Sequence, residues 1–247
     1  MKKVLHLMLM LCACATFATA QNNSDDYKKV EVFAGYTMDH DQREPNERFT
    51  SVLGFTPAQL QAFFGRPFNT NSGRTRMNGF NVSVTGYVTK NFGITGDFSA
   101  AFKNEFQPVG TQGSDTRRRK YNFLAGPQYK FRNASRVQPF ARALFGAARL
   151  STRLRPDNTG ISAAGLTVQQ IDDEYTAFAM ALGGGLDVKL NDKVSLRLIQ
   201  IDYNPVFSKD RDLTVTNARL AGAALTGRTT VTGDRRDNVR LSFGVVF

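Results

Sequence analysis

The stretch Asn238-Val-Arg-Leu-Ser-Phe-Gly-Val-Val-Phe247 closes the sequence. Every second residue from Val239 to Phe247 is apolar, and the residues between them are polar or small as far as Gly244. A β-strand with this period has one apolar face and one polar face. Because soluble domains rarely end on an apolar strand with no polar tail, we expect this strand to be the one that seals a closed β-barrel.

The first twenty residues have the pattern of a secretory signal peptide. A basic start at Met1–Lys3 precedes an apolar core and an A-x-A cleavage site at Ala18–Ala20, which are the parts that such a signal contains. In an alternative interpretation Leu11-Cys-Ala-Cys14 is a lipobox and a lipidated cysteine begins the mature protein, but the cysteine directly before the small residue fits that motif poorly. We therefore predict a signal peptide at 1–20 and one exported domain at 21–247.

Composition narrows the class of protein. Both cysteines lie inside the signal peptide, so the mature chain has no disulfide or thiolate chemistry. Removal of the two signal lysines lowers the formal net charge from +11 to about +9, and a basic charge usually suggests nucleic acid, which an exported chain is not expected to bind. The mean hydropathy is −0.31, and no apolar run is long enough for a transmembrane helix. A β-barrel escapes that test, because alternation halves the hydropathy of each strand.

Eight segments alternate between apolar and polar residues, as strands with two unlike faces do. They lie at about 29–37, 78–89, 92–102, 120–132, 137–150, 177–190, 194–205 and 238–247. The seventh segment loses its period at Gln200. This predicts a β-bulge there, because one extra residue reverses the faces that follow.

The connections between these segments are alternately short and long. The short ones lie at 90–91, 133–136 and 191–192, and the long polar ones at about 38–77, 103–119, 151–176 and 206–237. Short periplasmic turns and long external loops are typical of outer-membrane barrels. We predict an all-β, eight-stranded, antiparallel, up-and-down transmembrane β-barrel with four long external loops on one side.

A soluble lipocalin-like barrel is the structural alternative, with its apolar face inward and its polar face outward. The period of the sequence cannot distinguish these two directions. The composition of the polar faces can, because they carry Ser, Thr, Asn, Ala and Gly with few Lys or Glu. Such a face suits a packed, hydrogen-bonded lumen better than a solvated exterior, so we favour the membrane barrel.

The strand sequences also carry a family resemblance. They include Val30-Glu-Val-Phe-Ala-Gly-Tyr36, Tyr121-Asn-Phe-Leu-Ala-Gly-Pro-Gln-Tyr-Lys-Phe131, Ala179-Met-Ala-Leu-Gly-Gly-Gly-Leu-Asp-Val188 and Arg240-Leu-Ser-Phe-Gly-Val-Val-Phe247. With them the chain resembles the small outer-membrane β-barrel family, of the kind seen in OmpA-like transmembrane domains. Some OmpA-like proteins add a peptidoglycan-binding domain after the barrel. This sequence ends at the eighth strand, so that anchoring role is not implied.

The resemblance implies a location and partners. It implies the bacterial outer membrane of a Gram-negative cell, with outer-membrane lipid and lipopolysaccharide around the barrel. It also implies assembly by the barrel-insertion machinery, with the C-terminal strand as the recognition signal. The apolar residues of that signal would be Phe243, Val245 and Phe247.

Seven charged residues fall on the polar faces and are predicted to point into the lumen. They are Glu31, Asp97, Lys130, Asp187, Lys189, Arg197 and Arg240. Eight strands enclose just enough space for side chains, and a buried charge without a partner is strongly unfavourable. The charges could line a gated ion path or form a polar plug that holds the barrel in register, and we favour the plug.

Other polar clusters carry weaker predictions. Asp39-His40-Asp41 and Asp172-Asp173-Glu174 could suggest a metal site or a hydrolase, but neither has the further ligands or the serine that such chemistry needs, so we predict solvated loops. The basic block Arg117, Arg118, Arg119 and Lys120 could contact lipopolysaccharide phosphates at the outer rim or simply snorkel at the interface.

Two further motifs concern local structure. A helix is predicted in the first long loop, with Thr56 as its N-cap, Pro57 at its first helical position and Gly65 after its last residue. One face of this helix could form a lid, rest on the membrane or bind a partner. Gly183–Gly185 resembles a phosphate loop only superficially, because it lies inside a strand and no helix follows it. We predict close packing in the barrel wall there.

These observations predict a non-enzymatic outer-membrane protein without cofactor or metal. It would contribute to envelope integrity and contact an unidentified surface ligand through its external loops. A narrow porin-like channel for small solutes or ions is the alternative. An enzyme acting on lipid A or peptides is disfavoured, because His40 is the one histidine of the mature chain.

Overall fold

Long antiparallel strands close on themselves into a ring of eight in the computed structural model. The structure describes residues 27–43, 49–51, 55–56, 58–59, 73–109, 112–156, 166–220, 222–225, 227–233 and 235–247. The predicted signal peptide at 1–20 lies outside the described residues. Within the described part of the chain, no helix is both long and apolar enough to cross a lipid bilayer.

The strands of the described residues fall into a long set that forms the ring and a short set at its external end. In chain order they are β1 (Val30–Arg43), β2 (Phe49–Ser51), β3 (Gly73–Tyr87), β4 (Phe92–Val109), β5 (Gln112–Lys130), β6 (Val137–Pro156), β7 (Leu166–Thr167), β8 (Gln170–Lys189), β9 (Ser195–Tyr203), β10 (Val206–Phe207), β11 (Arg211–Thr216), β12 (Arg219–Leu220), β13 (Ala223–Ala224), β14 (Thr229–Val231), β15 (Arg235–Arg236) and β16 (Val239–Val246).

The ring follows the chain order β1, β3, β4, β5, β6, β8, β9 and β16, and it closes where β16 pairs with β1. At this seam the backbone of Phe247 donates to the oxygen of Val32 at 2.8 Å and accepts from its nitrogen at 3.1 Å. The predicted eight-stranded antiparallel barrel is confirmed, and the last residue of the sequence takes part in its closure.

The predicted bulge is also confirmed. The register of β9 shifts against both of its neighbours, because Gln200 faces Ser242 while Arg197 faces Gly244 on β16, and the same shift occurs against β8. The consecutive residues Leu198 and Ile199 are both exposed on the outer face. The extra residue therefore lets Arg197 and Gln200 both point inward.

The strands extend much farther at one end than their apolar pattern predicts. The predicted loop at 103–119 is wrong, because β4 runs on to Val109 and β5 begins at Gln112. Strands β6 and β8 have 20 residues each, which corresponds to a rise of about 50 Å at a typical tilt of roughly 40°. That is about twice the apolar band of an outer-membrane barrel, roughly 25 Å. The wall therefore projects well beyond the membrane.

The fourth external segment continues the wall in pieces. Strands β9, β10 and β11 pair in turn along β8, while β14, β15 and β16 return beside them. Short β2 pairs with β14. The wall is interrupted at Asn204, whose side chain donates to the Met180 oxygen. Much of the predicted loop at 206–237 is therefore built into the sheet.

The exposure of the side chains shows which face of the sheet is on the outside of the barrel. Large apolar side chains are exposed on the outside, while the inside is filled by buried polar and charged side chains. The exposed set includes Tyr36, Ile94, Phe123, Phe145, Phe178, Ile201 and Phe243. An apolar surface of this extent belongs in a lipid bilayer. The lipocalin-like alternative, which needs the opposite arrangement, is excluded.

Candidate functional site

Four charged residues fill the middle of the lumen. Arg142 donates to Asp202 through Nε at 3.0 Å and Nη2 at 2.7 Å, and to Asp97 through Nη1 at 3.1 Å. Arg240 donates to Asp97 at 2.9 Å and to Asp202 at 3.0 and 3.1 Å. All four side chains are fully buried. Each arginine therefore bridges both carboxylates, and the two charges of each sign balance.

These four residues, which we call the central quartet, come from four different strands. Asp97 lies on β4, Arg142 on β6, Asp202 on β9 and Arg240 on β16. Strands β4 and β9 stand on opposite sides of the ring of eight. The ion pairs therefore cross the lumen from wall to wall. Every guanidinium nitrogen donates and every carboxylate oxygen accepts, as buried charges require.

A second layer of ion pairs lies toward the end with the short turns. Lys130 contacts Glu31 at 2.9 Å and Asp187 at 3.0 Å. Arg197 donates to both oxygens of Asp187 at 2.8 and 3.1 Å. Gln200 accepts from Arg197 at 2.7 Å and donates to Asp202 at 2.9 Å. The bulge at Gln200 therefore joins this layer to the central quartet in one network.

Aromatic rings support the cations of this layer. The guanidinium of Arg197 lies 4.4 Å from the ring centre of Phe33 and 4.0 Å from that of Phe140. Cation–π contacts therefore hold this planar cation between a ring on β1 and a ring on β6. These contacts restrict the guanidinium to the position in which it meets Asp187.

The mouth at the same end is capped by Arg132. Its guanidinium contacts Glu31 at 2.9 Å and lies 4.3 Å from the ring centre of Tyr87, which itself donates to Glu31 at 3.0 Å. Partial burial lowers the pKa of Lys28 beside this mouth, and the charge of Glu31 opposes that effect. A connected cluster of charged and aromatic groups therefore lies across this mouth.

A third layer lies at the external end. Lys120 is fully buried and contacts Asp39 at 2.9 Å and Asp41 at 3.7 Å. Apart from this ion pairing, both oxygens of Asp39 and one of Asp41 have no hydrogen-bond partner among the described residues. Buried oxygens of this kind usually bind ordered water. The carboxylates of this layer are therefore hydrogen-bonded less completely than those of the other two layers.

Comparison with known proteins identifies the family of the barrel that encloses these layers. The family model of the outer membrane protein beta-barrel domain matches residues 10–221. The chain belongs to this outer-membrane β-barrel family. A search of curated protein sequences finds no match.

Solved structures share the fold at low identity. OprG, an outer membrane protein of Pseudomonas aeruginosa, has a TM-score of 0.51 at 16% identity over 88% of this chain and 95% of its own. The outer membrane protease OmpT of Escherichia coli has a TM-score of 0.52 at 8% identity over 92% and 99%. Ail, the attachment invasion locus protein of Yersinia pestis, has a TM-score of 0.43 at 13% identity over 89% and 99%. The first two show the fold alone.

This outer-membrane barrel therefore resides in the bacterial outer membrane, with lipid around its apolar surface. Six of the residues predicted for the lumen lie in its buried network: Glu31, Asp97, Lys130, Asp187, Arg197 and Arg240. Lys189 does not. It lies at the end of β8, where its side chain is 45% exposed and its ammonium pairs with Asp192 of the adjoining turn at 2.9 Å.

Several residues of the network escaped the sequence analysis. Arg142 lies in the segment whose alternation is least regular, and Asp202 lies beyond the bulge. Asp39 and Asp41 were predicted in a solvated loop, which is wrong because they lie in β1 and are buried. Their positions could have been predicted, because Asp39 and Asp41 continue the series of every second residue that begins at Glu31 and points inward.

The basic block at 117–120 does not form one surface. Alternate residues of a strand face opposite sides, so Arg117 and Arg119 are exposed on the outside whereas Lys120 is buried in the lumen and Arg118 is half-buried. The prediction of a common lipopolysaccharide contact therefore loses Lys120, which pairs with Asp39 instead.

The same alternation separates His40 from its acidic neighbours. His40 pairs in register with Arg76 and Val239 on the outer face, whereas Asp39 and Asp41 point inward. The Asp-His-Asp sequence is thus not a cluster in space. Within the described residues, no group of three or more His, Cys, Asp or Glu side chains is placed to hold a metal ion.

The second acidic sequence lies in β8 and is ion-paired, so the prediction of a solvated loop is wrong there too. Asp172 contacts Arg153 at 2.8 Å, Asp173 contacts Arg211 at 2.7 Å, and Glu174 contacts Arg149. These pairs tie neighbouring strands of the projecting wall together.

The remaining predicted motifs can be placed as well. A Cβ on Gly183, Gly184 or Gly185 would lie 2.0–2.2 Å from a backbone oxygen of a neighbouring strand, which confirms close packing there.

Thr56 and Gln59 make reciprocal capping hydrogen bonds of 2.8 and 3.3 Å, as a helix start requires, while Pro57 and Gly65 lie outside the described residues. Phe243 and Phe247 are exposed on the outer face of the closing strand.

Proposed function

We propose that this barrel is a non-enzymatic outer-membrane protein with a closed lumen. It contributes to envelope integrity and presents its long external hairpins for surface contact with an unidentified ligand. The short turns at 88–91, 131–136 and 190–194 face the periplasm, and the projecting ends of the strands face the outside. The signal peptide at 1–20 would be removed before residues 21–247 form the barrel.

One observation carries this proposal. The central quartet joins opposite walls of the lumen by hydrogen bonds of 2.7–3.1 Å. Opening a path there would separate buried opposite charges, which costs about 3–5 kcal/mol when one partner is lost. A wall held together in this way is suited to a rigid structural element rather than to a gate.

The placement of the ionisable groups supports a role without catalysis. The carboxylates of the lumen are held by arginines and lysines, and the histidine at position 40 faces away from the acids beside it. A hydrolytic site needs a base that is free to accept a proton and is close to a nucleophile. The surface of the external hairpins is therefore the more promising place for function.

The closing strand supports a proposal about assembly. Phe243 and Val245 lie on the outer side of β16 and Phe247 directly follows it, where the barrel-insertion machinery could bind them before the seam with β1 forms. The backbone of Phe247 is then captured by Val32. In this proposal the residues that signal assembly are also the residues that complete the ring.

A narrow channel for small solutes or ions is the second candidate. The observation that favours it is the external layer, where buried oxygens of Asp39 and one of Asp41 lack hydrogen-bond partners among the described residues and are suited to water. For conduction, the water would have to continue past Arg142 and Arg240. The two candidates therefore differ in whether the central quartet opens.

Deletion of the gene for this protein from its source bacterium tests the proposed function. We expect the deletion strain to become sensitive to large antibiotics that an intact outer membrane excludes, and we expect the intact chain to restore resistance. Unchanged sensitivity would contradict a role in envelope integrity. Turnover of lipid A or peptides by the purified barrel would contradict the non-enzymatic assignment.

A further inference from the structure

We propose that the outer wall formed by β4, β5 and β6 binds one phosphorylated glycolipid of the outer leaflet, of the lipid A type. Its phosphate would lie on Arg117, Arg119 and Arg153, and one acyl chain would lie in an apolar recess below them. The proposal rests on the orientation of the barrel given above, but it does not depend on whether the lumen is closed.

The strand register gathers arginines on the outside of the wall. Arg117 on β5 stands directly opposite Arg153 on β6, and Arg119 stands opposite Ser151. Arg149 stands opposite Tyr121 on the same pair of strands. Arg119 is therefore diagonal to both Arg149 and Arg153, at the distance where long side chains interact. Like charges in such positions destabilise a sheet unless an anion lies between them.

Carboxylates only partly neutralise this cluster. Arg117 contacts Asp115 at 3.3 Å, Arg153 contacts Asp172 at 2.8 Å, and Arg149 contacts Glu174. No carboxylate of the described residues pairs with Arg119, which is exposed at the centre of the cluster. One cation is thus left over, and arginine binds phosphate in a bidentate manner.

Aromatic rings mark the membrane boundary directly below this charge. Phe102 faces Arg119 across β4 and β5, and it packs edge-on against Tyr121 with ring centres 5.9 Å apart. Tyr is typical of the membrane–water interface. Arg119 is the next outward residue after Tyr121 on the external side, so its guanidinium lies at the level of the lipid headgroups.

An apolar recess lies in the same wall on the membrane side of the rings. It has a volume of about 490 Å³ and lies among Val84, Gly96, Phe98, Phe123, Ala125 and Phe145. No atom lies within 4 Å of the position that a Cβ on Gly96 would occupy. The large rings thus surround a gap over two small residues, and the gap is comparable in volume with small-molecule sites, roughly 300–1,000 Å³.

The two features have the spacing of a lipid. Arg119 and Ala125 are both on the outer face of β5, six residues apart, which is about 20 Å along the strand and about 15 Å along the membrane normal at a tilt of roughly 40°. Half of the hydrocarbon core is also about 15 Å. A headgroup phosphate on the arginines would therefore place its acyl chain beside the recess.

The charge test uses native mass spectrometry of the intact barrel in detergent with purified bisphosphorylated lipid A. We expect one retained lipid, with affinity reduced about tenfold or more in Arg119→Gln, as the loss of a charge-assisted phosphate contact implies. Arg136→Gln, which removes an exposed arginine on a periplasmic turn, is the matched control and should bind as the unchanged chain does. Equal binding by all three proteins would overturn the proposal.

The recess test uses two glycines at which a Cβ meets no atom within 4 Å, Gly96 inside the recess and Gly86 outside it. Gly96→Leu should fill the recess and weaken lipid A binding, whereas Gly86→Leu should leave it unchanged. Because the Cβ of each variant meets no atom within 4 Å and the rest of the side chain can point away from the wall, both variants should fold, which heat-modifiable gel migration would check. Equal binding by both variants would overturn the assignment of the recess.

Two further probes separate the sources of phosphate. Lipid A without phosphates and inorganic phosphate alone should each bind much more weakly than bisphosphorylated lipid A, because each supplies half of the contacts. Phosphatidylethanolamine that binds as tightly as lipid A would show an unspecific lipid shell and contradict the proposal. None of these outcomes bears on antibiotic sensitivity or conductance, so failure here is distinguishable from failure of the proposed function.

Discussion

At the scale of single residues, the lumen is held by charges that each meet more than one partner. Arg142 and Arg240 both contact Asp97 and Asp202, and Lys130 contacts two carboxylates. A buried ion pair gains little over an apolar core of the same shape, but the loss of one partner is strongly destabilising. The network therefore specifies the register of the wall more than it adds to stability.

Replacement of Arg240 tests this view. Arg240→Met should lower the free energy of unfolding by about 3–5 kcal/mol, because two buried carboxylates lose a shared cation. Urea unfolding of the barrel in detergent, followed by circular dichroism, measures the change. Arg228→Met is the control, since Arg228 forms an exposed pair with Asp212 and such pairs contribute little. A similar small effect for both variants would show that the quartet is not a structural unit.

The charged residues were predictable where the strand period was regular. Glu31, Asp97, Lys130 and Asp187 all follow from alternation alone. Asp202 did not, because the bulge between Arg197 and Gln200 reverses the faces of β9. No sequence pattern gave the ion-pair partners, since these depend on the register of strands that are distant along the chain.

At the scale of elements, the short-turn end of each strand was predicted well and the external end poorly. Inside the bilayer one face must be apolar, so the period is strong. Beyond it both faces of the wall are mostly polar, as at Lys103–Arg119 with Phe106 as the exception, and the period disappears although the strands continue. The sequence therefore predicted the membrane-spanning ring but not the height of the wall.

Close strand packing in β8 gives a second prediction. A Cβ on Gly184 would lie 2.2 Å from the backbone oxygen of Phe140, and backbone cannot yield as a side chain can. Gly184→Ala should destabilise the barrel by about 1–3 kcal/mol through overpacking. Gly96→Ala should not, because its Cβ meets nothing within 4 Å. Thermal unfolding of both variants in detergent measures the difference, and equal midpoints would contradict it.

The seam between β16 and β1 gives a third prediction. Deletion of Phe247 removes both backbone hydrogen bonds to Val32 and an apolar outward side chain, so we expect periplasmic aggregate or degradation products in place of assembled barrel. Phe247→Leu keeps the backbone pairing and an apolar side chain, and it should assemble. Fractionation of the cell envelope followed by immunoblotting checks both. Normal outer-membrane yield of the deletion variant would contradict the proposed assembly signal.

At the scale of the whole molecule, the barrel has an apolar exterior and a charged interior. Its exposed Phe, Ile, Leu and Tyr side chains face lipid, while the buried ion pairs run from Glu31 near the periplasmic mouth to Lys120 near the external end. Among the described ion pairs of the lumen, only those of the external layer include buried carboxylate oxygens without hydrogen-bond partners. This arrangement supports the proposed plugged barrel, in which the central quartet closes the lumen.

Single-channel recording in planar lipid bilayers tests the closed lumen most directly. The unchanged barrel should show no steady conductance, because Arg142 and Arg240 bridge opposite walls. The double variant Arg142→Ala/Arg240→Ala, where it still migrates as a folded barrel, should show conductance as the quartet opens. Large and steady single-channel currents from the unchanged barrel would contradict the account and establish the channel instead.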